Sequence, residues 1–156
     1  MVNIYESTIE ERELLDNKLV EFNRKKVPFE QSEDWIVLSY ALKDETNQVM
    51  AGINSMLYCW NILYIDILYV EDAHRGKSYG KLLLDKAESE SKKLGGYMSH
   101  LDTFDWQAKE FYEHLGYEVF GILENCPRGH NRDYMKKVFE LKVNTKICVQ
   151  TKIAEC

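Results

Sequence analysis

The sequence predicts an α/β fold, a mixed and mostly antiparallel sheet of six or seven strands with helices on both faces. Three observations lead there. Three β-prone segments, residues 35–43, 49–60 and 62–70, follow one another with only short turns between them, which is the pattern of an antiparallel meander. The hydrophobic period then changes to that of a helix over residues 78–94. Beyond it, strand-like and helix-like stretches alternate, giving the order strand, helix, three strands, helix, strand, helix, two strands.

Each element has a local reason. Residues 2–5 (Val-Asn-Ile-Tyr) read as a short first strand. Ser7 or Thr8 is an N-cap candidate, and Glu10, Glu11 and Glu13 suit a helix start. That helix carries Leu14, Leu15, Leu19 and Phe22 at helical spacing and ends before Pro28. The acidic stretch 30–34 reads as a loop or a second short helix. Asp44-Glu45-Thr46-Asn47 is a turn signal inside the meander. Residues 62–70 are apolar on both alternation phases apart from Asp66, so this strand is expected to be central and covered on both sides. In 78–94, Tyr79, Leu82, Leu83, Ala87 and Leu94 form the apolar stripe, and Gly95-Gly96 stops the helix. Residues 97–103 read as a strand, 106–115 as a helix stopped by Gly116, and 117–123 and 133–141 as two further strands. In the tail, Val143, Ile147, Val149 and Ile153 share one alternation phase, with Lys142, Asn144, Lys146, Gln150 and Lys152 on the other. This predicts an extra strand, at a sheet edge or between the subunits of a homodimer; a frayed tail is the competing reading.

Composition bounds the function. A chain of 156 residues with 45% hydrophobic residues, 2 Pro and 8 Gly suits one domain, taken as 1–156. A formal charge of −6 argues against a nucleic-acid partner and is compatible with a cationic substrate. No apolar run approaches the ~20 residues of a membrane-spanning helix, so no membrane partner is expected. The acidic N-terminus does not read as a targeting peptide. The four cysteines, Cys59, Cys126, Cys148 and Cys156, form no C-x-x-C pair. They read as reduced thiols of a cytoplasmic protein, without a metal.

The stretch Val70-Glu71-Asp72-Ala73-His74-Arg75-Gly76-Lys77-Ser78-Tyr79-Gly80-Lys81 joins a strand to an amphipathic helix. Gly76 and Gly80 permit close backbone approach. The helix start exposes unpaired N–H groups, a natural seat for an anion. Arg75, Lys77 and Lys81 add positive charge in a stretch, 74–81, that holds no acid. The plainer reading is a glycine-containing turn with solvated bases. The spacing is neither that of a Walker A loop nor the Rossmann fingerprint.

Arg75-Gly76-Lys77-Ser78-Tyr79-Gly80 resembles the pyrophosphate loop [QR]-x-x-G-x-[GA] of the GCN5-related N-acetyltransferase (GNAT) family, with Ser78 standing where the family has Gly. Ala108-Lys109-Glu110-Phe111-Tyr112-Glu113-His114-Leu115-Gly116-Tyr117 is similar to a second family stretch, A-x-x-F-Y-x-x-x-G-[FY]. The run from Asp102 to Ala108, with Pro127-Arg128-Gly129-His130 after it, is similar to a bacterial subgroup of the family. The resemblance covers about residues 1–139 and leaves 140–156 as an extension. It implies a sheet splayed between its fourth and fifth strands, 62–70 and 97–103, with acetyl-CoA as cosubstrate in the gap. It further implies that Leu68, Tyr69, Val70, Arg75, Gly76, Lys77, Ser78, Tyr79, Gly80 and Lys81 hold that cosubstrate, and that an acetyl group passes directly to a primary amine.

Three demands follow from that chemistry: a deprotonated acceptor, a donor for the developing oxyanion and an acid for the leaving thiolate. The resemblance makes Tyr112 the acid; the alternative is a packing aromatic beside Phe111. Asp66, alone in an apolar strand, is the base candidate, an electrostatic attractor of the ammonium, or a structural carboxylate. Asp102 and Asp105 are weaker candidates for the base. Glu30, Glu33, Asp34 and Asp102 are the acids expected to border a cationic acceptor. His74 and His130 read as loop residues, and Cys59 and Cys126 as buried thiols without an activating neighbour. The favoured function is acetyl transfer to a small, cationic amine. Protein lysine or N-terminal amine acetylation, and a non-catalytic acyl-CoA-binding regulatory module, are the alternatives.

Overall fold

The structure, a computed structural model, describes residues 2–139. Helix α1 (Ile9–Lys26) is followed by strands β1 (Trp35–Val37), β2 (Tyr40–Lys43), β3 (Val49–Tyr58) and β4 (Ile62–Val70). A one-turn 3₁₀ segment (Asp72–His74) leads to helix α2 (Tyr79–Lys93). Strand β5 (Met98–Phe104), helix α3 (Lys109–His114) and strands β6 (Glu118–Leu123) and β7 (Arg132–Val138) complete the chain. The seven strands form one sheet in the order β1-β3-β4-β5-β7-β6, with β2 also on β3. Every pairing is antiparallel except β4 with β5, which is parallel.

The meander forms as expected, with one difference. Residues 35–43 divide into β1 and β2 because the chain turns inward between them. There Leu38 is buried, and its N–H and C=O bond to the Ser55 backbone and hydroxyl at 2.9 and 2.6 Å. Residues 2–5 are not a strand. Val2, Ile4 and Tyr5 are exposed and have no ladder partner among the described residues, so none of these supplies the backbone pairing a strand needs. Helix α1 starts on a capping box, in which the Thr8 hydroxyl accepts from Glu11 N and the Glu11 carboxylate from Thr8 N. Its stripe of Leu14, Leu15, Leu19 and Phe22 is more than half exposed. The helix is anchored at its C-terminal end, where Trp60 Nε1 donates to Val27 O at 3.2 Å and Arg24 pairs with Asp34.

The core lies between the sheet and α2. Ile53, Leu57, Leu63, Leu84, Leu101 and Met135 are fully buried there. The stripe of α2 is rotated from the expected one: Leu83, Leu84, Ala87, Glu88 and Ser91 are buried, whereas Leu82 and Leu94 face out. The difference is a buried carboxylate. Glu88 receives Lys137 Nζ at 2.8 and 3.0 Å and the Tyr117 hydroxyl at 3.0 Å, and that hydroxyl also meets Ser99 Oγ at 2.9 Å. One polar network therefore ties α2 to β5, β7 and the turn before β6. A buried acid needs such partners, which a count of apolar residues cannot reveal.

Strand β4 is central, but its second half is not covered on both sides: Asp66, Ile67 and Tyr69 are exposed. The pairing explains this. β4 and β5 are joined at Ile62↔Met98, Leu63↔Ser99 and Tyr64↔His100, and they separate beyond that rung. The remaining elements start or stop within a few residues of expectation. The predicted tail strand, residues 140–156, falls outside the described residues.

Candidate active site

The separation of β4 from β5 opens a cleft of ≈ 990 Å³. Its β4 wall runs from Ile65 through Val70, and its β5 wall is Leu101, Asp102 and Thr103. The Arg75–Lys81 turn and the start of α2 close one end, and Phe111, Tyr112 and Leu115, on and just after α3, line another side. Walls of this kind present unpaired backbone groups of an interrupted sheet, so an extended ligand with amide groups can bond to them as a strand does.

The turn is shaped by two left-handed residues. Gly76 has φ +74°, and Ser78 has φ 60°, ψ 18°. A left-handed serine costs about 1 kcal/mol relative to glycine, so glycine would suit the torsions that Ser78 adopts. Among the described residues no side chain caps α2, and its first turn carries no acid, so its leading N–H groups and dipole favour an anion at the cleft end lined by Ser78, Tyr79 and Gly80. Gly80 lies under Phe111: a Cβ there would sit 3.4 Å from the ring. Arg75 is partly committed, its Nε donating to Val70 O at 3.2 Å and its Nη2 pairing with Asp72 at 2.8 Å. It therefore braces the turn as well as adding charge.

Of the residues expected to hold the cosubstrate, Leu68, Tyr69, Val70, Arg75, Gly76, Ser78, Tyr79, Gly80 and Lys81 line the cleft together. Lys77 does not; it is exposed, with Nζ 3.4 Å from His74 Nδ1. Asp66, Asp102 and Tyr112 line the same cleft. Tyr112 is buried, and burial, reinforced by the negative charge of Asp102, pushes its hydroxyl up to about 12. Asp66 is exposed rather than buried, because the strands have already separated at its position. Asp102 accepts Arg132 Nε at 2.6 Å.

Glu30, Glu33 and Asp34 stand elsewhere. Their segment is held on the β3–β4 turn by Glu30 N to Cys59 O at 3.3 Å and Cys59 N to Asp34 O at 2.9 Å. Glu30 borders a separate shallow groove with Val27, Trp60, Ile62, Gly95 and Tyr97. The acids near 30–34 lie at the Ile62 end of β4, and the cleft opens at the Val70 end. Asp105 is structural: it accepts His130 Nδ1 at 3.0 Å and Asn131 N at 2.8 Å, and the backbone donor, ahead of the histidine, holds its carboxyl below the usual range. Cys59 is buried and its thiol is pushed up by that burial, which fits an inert thiol.

Sequence reasoning missed a group on the open face of the sheet. Tyr58, Tyr64 and His100 project there, in phase with Asp66 and Asp102. His100 Nε2 lies 2.9 Å from the Tyr58 hydroxyl, and its ring lies 5.0 Å from that of Tyr64 with a 31° tilt. Trp106, which also lines the cleft, stacks on Phe104 at 4.5 Å. The available signal was the period of two: His100, Asp102 and Phe104 form the half-buried phase of β5, and Ser99, Leu101 and Thr103 the buried one.

The chain matches the acetyltransferase (GNAT) domain over residues 35–119, more than half of its length. It is 32% identical over 71 residues to a blasticidin-S acetyltransferase of Streptomyces morookaense; the match spans 45% of this chain and 52% of that protein, about half its length. A crystal structure of an acetyltransferase from Bacillus cereus superposes with a TM-score of 0.81 at 30% identity, covering 88% of this chain and 98% of that one. An aminoglycoside 6'-N-acetyltransferase complexed with coenzyme A superposes with a TM-score of 0.60 at 18% identity, covering 90% and 99%, a likeness of fold.

Proposed function

The chain belongs to the GNAT acetyltransferase family, and from that premise we propose that it transfers an acetyl group from acetyl-CoA to a primary amine of a small, cationic acceptor. The observation that carries the proposal is the single cleft in which an uncapped helix start, two carboxylates and a buried tyrosine face one another.

The residues fit the cosubstrate. The pyrophosphate takes the N–H groups at the start of α2, between the Gly76–Ser78 backbone and Lys81. The pantetheine amides pair with β4 where β5 has left it. The thioester then points toward the level of Asp66 and Asp102, and a β4 backbone N–H at that level, no longer paired with β5, donates to the oxyanion. Asp66 attracts the acceptor's ammonium, and Asp102 adds to that attraction, tempered by Arg132. Tyr112 donates its proton to the departing sulfur. A small acceptor is favoured by the resemblance to an antibiotic acetyltransferase and by aromatic cleft walls such as Trp106.

Incubation of the protein with acetyl-CoA and a panel of small amines, diamines and lysine peptides tests the proposal, with release of free thiol as the signal. Turnover confined to small cationic amines supports it. Preference for peptides would move the activity to proteins, and coenzyme A binding without turnover on any amine would leave a binding module. Arg75→Ala with Lys81→Ala is expected to weaken coenzyme A binding about tenfold and flatten its salt dependence, measured by calorimetry. Unchanged affinity would place the phosphate recognition on the backbone alone.

A further inference from the structure

We propose that His100 takes the proton from the acceptor's ammonium, so that the amine attacks as its free base. The inference rests on the acetyltransferase reading above and assigns the one role that reading leaves open.

Position carries the argument. Tyr64↔His100 is the last rung joining β4 to β5. His100 therefore stands one rung before the cleft begins, outside its lining, on the same face of the sheet as Asp66 and Asp102. Asp102 occupies the next same-face position of β5, about 6.6 Å along the strand, and Asp66 lies two residues on in β4, where the register with β3 shifts past it. An ammonium drawn between the two carboxylates must reach back one rung to the imidazole. The ring is fixed from two sides, by the Tyr58 hydroxyl 2.9 Å from Nε2 and by the Tyr64 ring 5.0 Å away. Among the described residues no protein group hydrogen-bonds Nδ1. In the tautomer this step requires, Nε2–H donates to the Tyr58 oxygen and Nδ1 presents its lone pair.

The charges around it favour a neutral ring that can become cationic. Tyr58 faces it from β3, Tyr64 and Asp66 from β4, and Asp102 from its own strand. From β7 comes its register partner Lys136, which is paired with Glu118 at 3.4 Å. Half-burial lowers the imidazole's pKa, and Asp102 opposes the shift without reversing it. The ring is thus unprotonated at neutral pH, and Asp102 is beside it when a proton arrives. An imidazole with an ordinary pKa of about 6.5 is a better match to an amine than a carboxylate near 4. Asp102 is moreover engaged by Arg132 at 2.6 Å.

The step balances simply. One N–H bond of the ammonium breaks and its electron pair stays on nitrogen. The proton bonds to Nδ1, giving an imidazolium that later releases it to water. The freed pair then attacks the thioester carbon.

The test is the pH dependence of kcat/KM for an accepted amine, in wild type and in His100→Gln, whose amide can still meet Tyr58. The wild type should lose activity as pH falls through the imidazole's own titration, read by NMR of the His100 ring and lying below 6.5. In His100→Gln, kcat/KM should fall at least tenfold at neutral pH and that acid limb should vanish, with coenzyme A affinity retained. A wild-type rate and an unmoved limb in His100→Gln would overturn the inference while leaving the acetyltransferase reading intact. A wild type that turns over no amine overturns both. Should His100→Gln lose coenzyme A binding through misfolding, the wild-type titration decides: an NMR midpoint away from the kinetic one overturns the assignment.

Discussion

Replacing Tyr112 with Phe is expected to lower kcat about a hundredfold while leaving coenzyme A affinity within about twofold. The argument follows from burial. Tyr112 lines the cleft from α3, and its hydroxyl, pushed up to about 12, stays protonated at every pH at which the protein is assayed. It is therefore always a donor. A thiolate leaving into water, with a pKa near 8.5, would be a poor match for so weak an acid. A thiolate leaving into the same apolar cleft is raised by the same desolvation, which brings the two closer. A hydrogen bond to a charged group contributes about 1.5–3 kcal/mol, and about 2.7 kcal/mol is a hundredfold in rate. The sign also matters for the pH profile: no alkaline limb below pH ~11 should belong to Tyr112. Steady-state kinetics from pH 5 to 10 check both points. A Tyr112→Phe enzyme with wild-type kcat throughout would make the residue a packing aromatic.

Glu88→Ala should have the largest effect on stability, a loss of about 3–5 kcal/mol in urea unfolding. The carboxylate is buried and receives Lys137 at two contacts and Tyr117 at a third. Truncation leaves the Lys137 ammonium without its carboxylate and the Tyr117 hydroxyl with Ser99 Oγ alone. Removing both charges at once, as in Glu88→Leu with Lys137→Met, should recover most of the loss, because two apolar side chains of similar volume need no partner. A loss below about 1 kcal/mol in the single variant would show that the pocket admits water.

The sheet was legible because its strands announce themselves twice, by composition and by turns. Ile62–Val70 came out at its observed limits, and the Arg75–Lys81 turn fell where a strand meets a helix. Residues 2–5 misled because β-branched and aromatic residues at a chain end look the same with or without a neighbouring strand to pair with. The α2 stripe misled because Glu88 is buried by partners far away in sequence, at Tyr117 and Lys137. Tyr112, Asp66 and Asp102, singled out by a motif, an isolated charge and a resemblance, line one cleft. His100 and Tyr58 carry no such mark. Their meaning comes from register across three strands, and no single stretch of sequence contains it. The acids at 30–34 were placed at the acceptor by their charge, but their backbone bonds to Cys59 hold them at the opposite end of β4.

The alternation along β5 has a consequence for how such a protein changes over generations. Ser99, Leu101 and Thr103 answer to the helices on one face, and His100, Asp102 and Phe104 answer to whatever arrives on the other. Mutations at Asp102 and Phe104 can be sampled with little debt to the first set, while His100 is held by the proton transfer proposed for it. A new acceptor can then be acquired by redrawing every other letter of one strand, while the intervening letters keep the fold and the acetyl donor's seat in place. Diversification of this kind leaves a recognisable trace: among descendants of one ancestor, β5 should vary with a period of two.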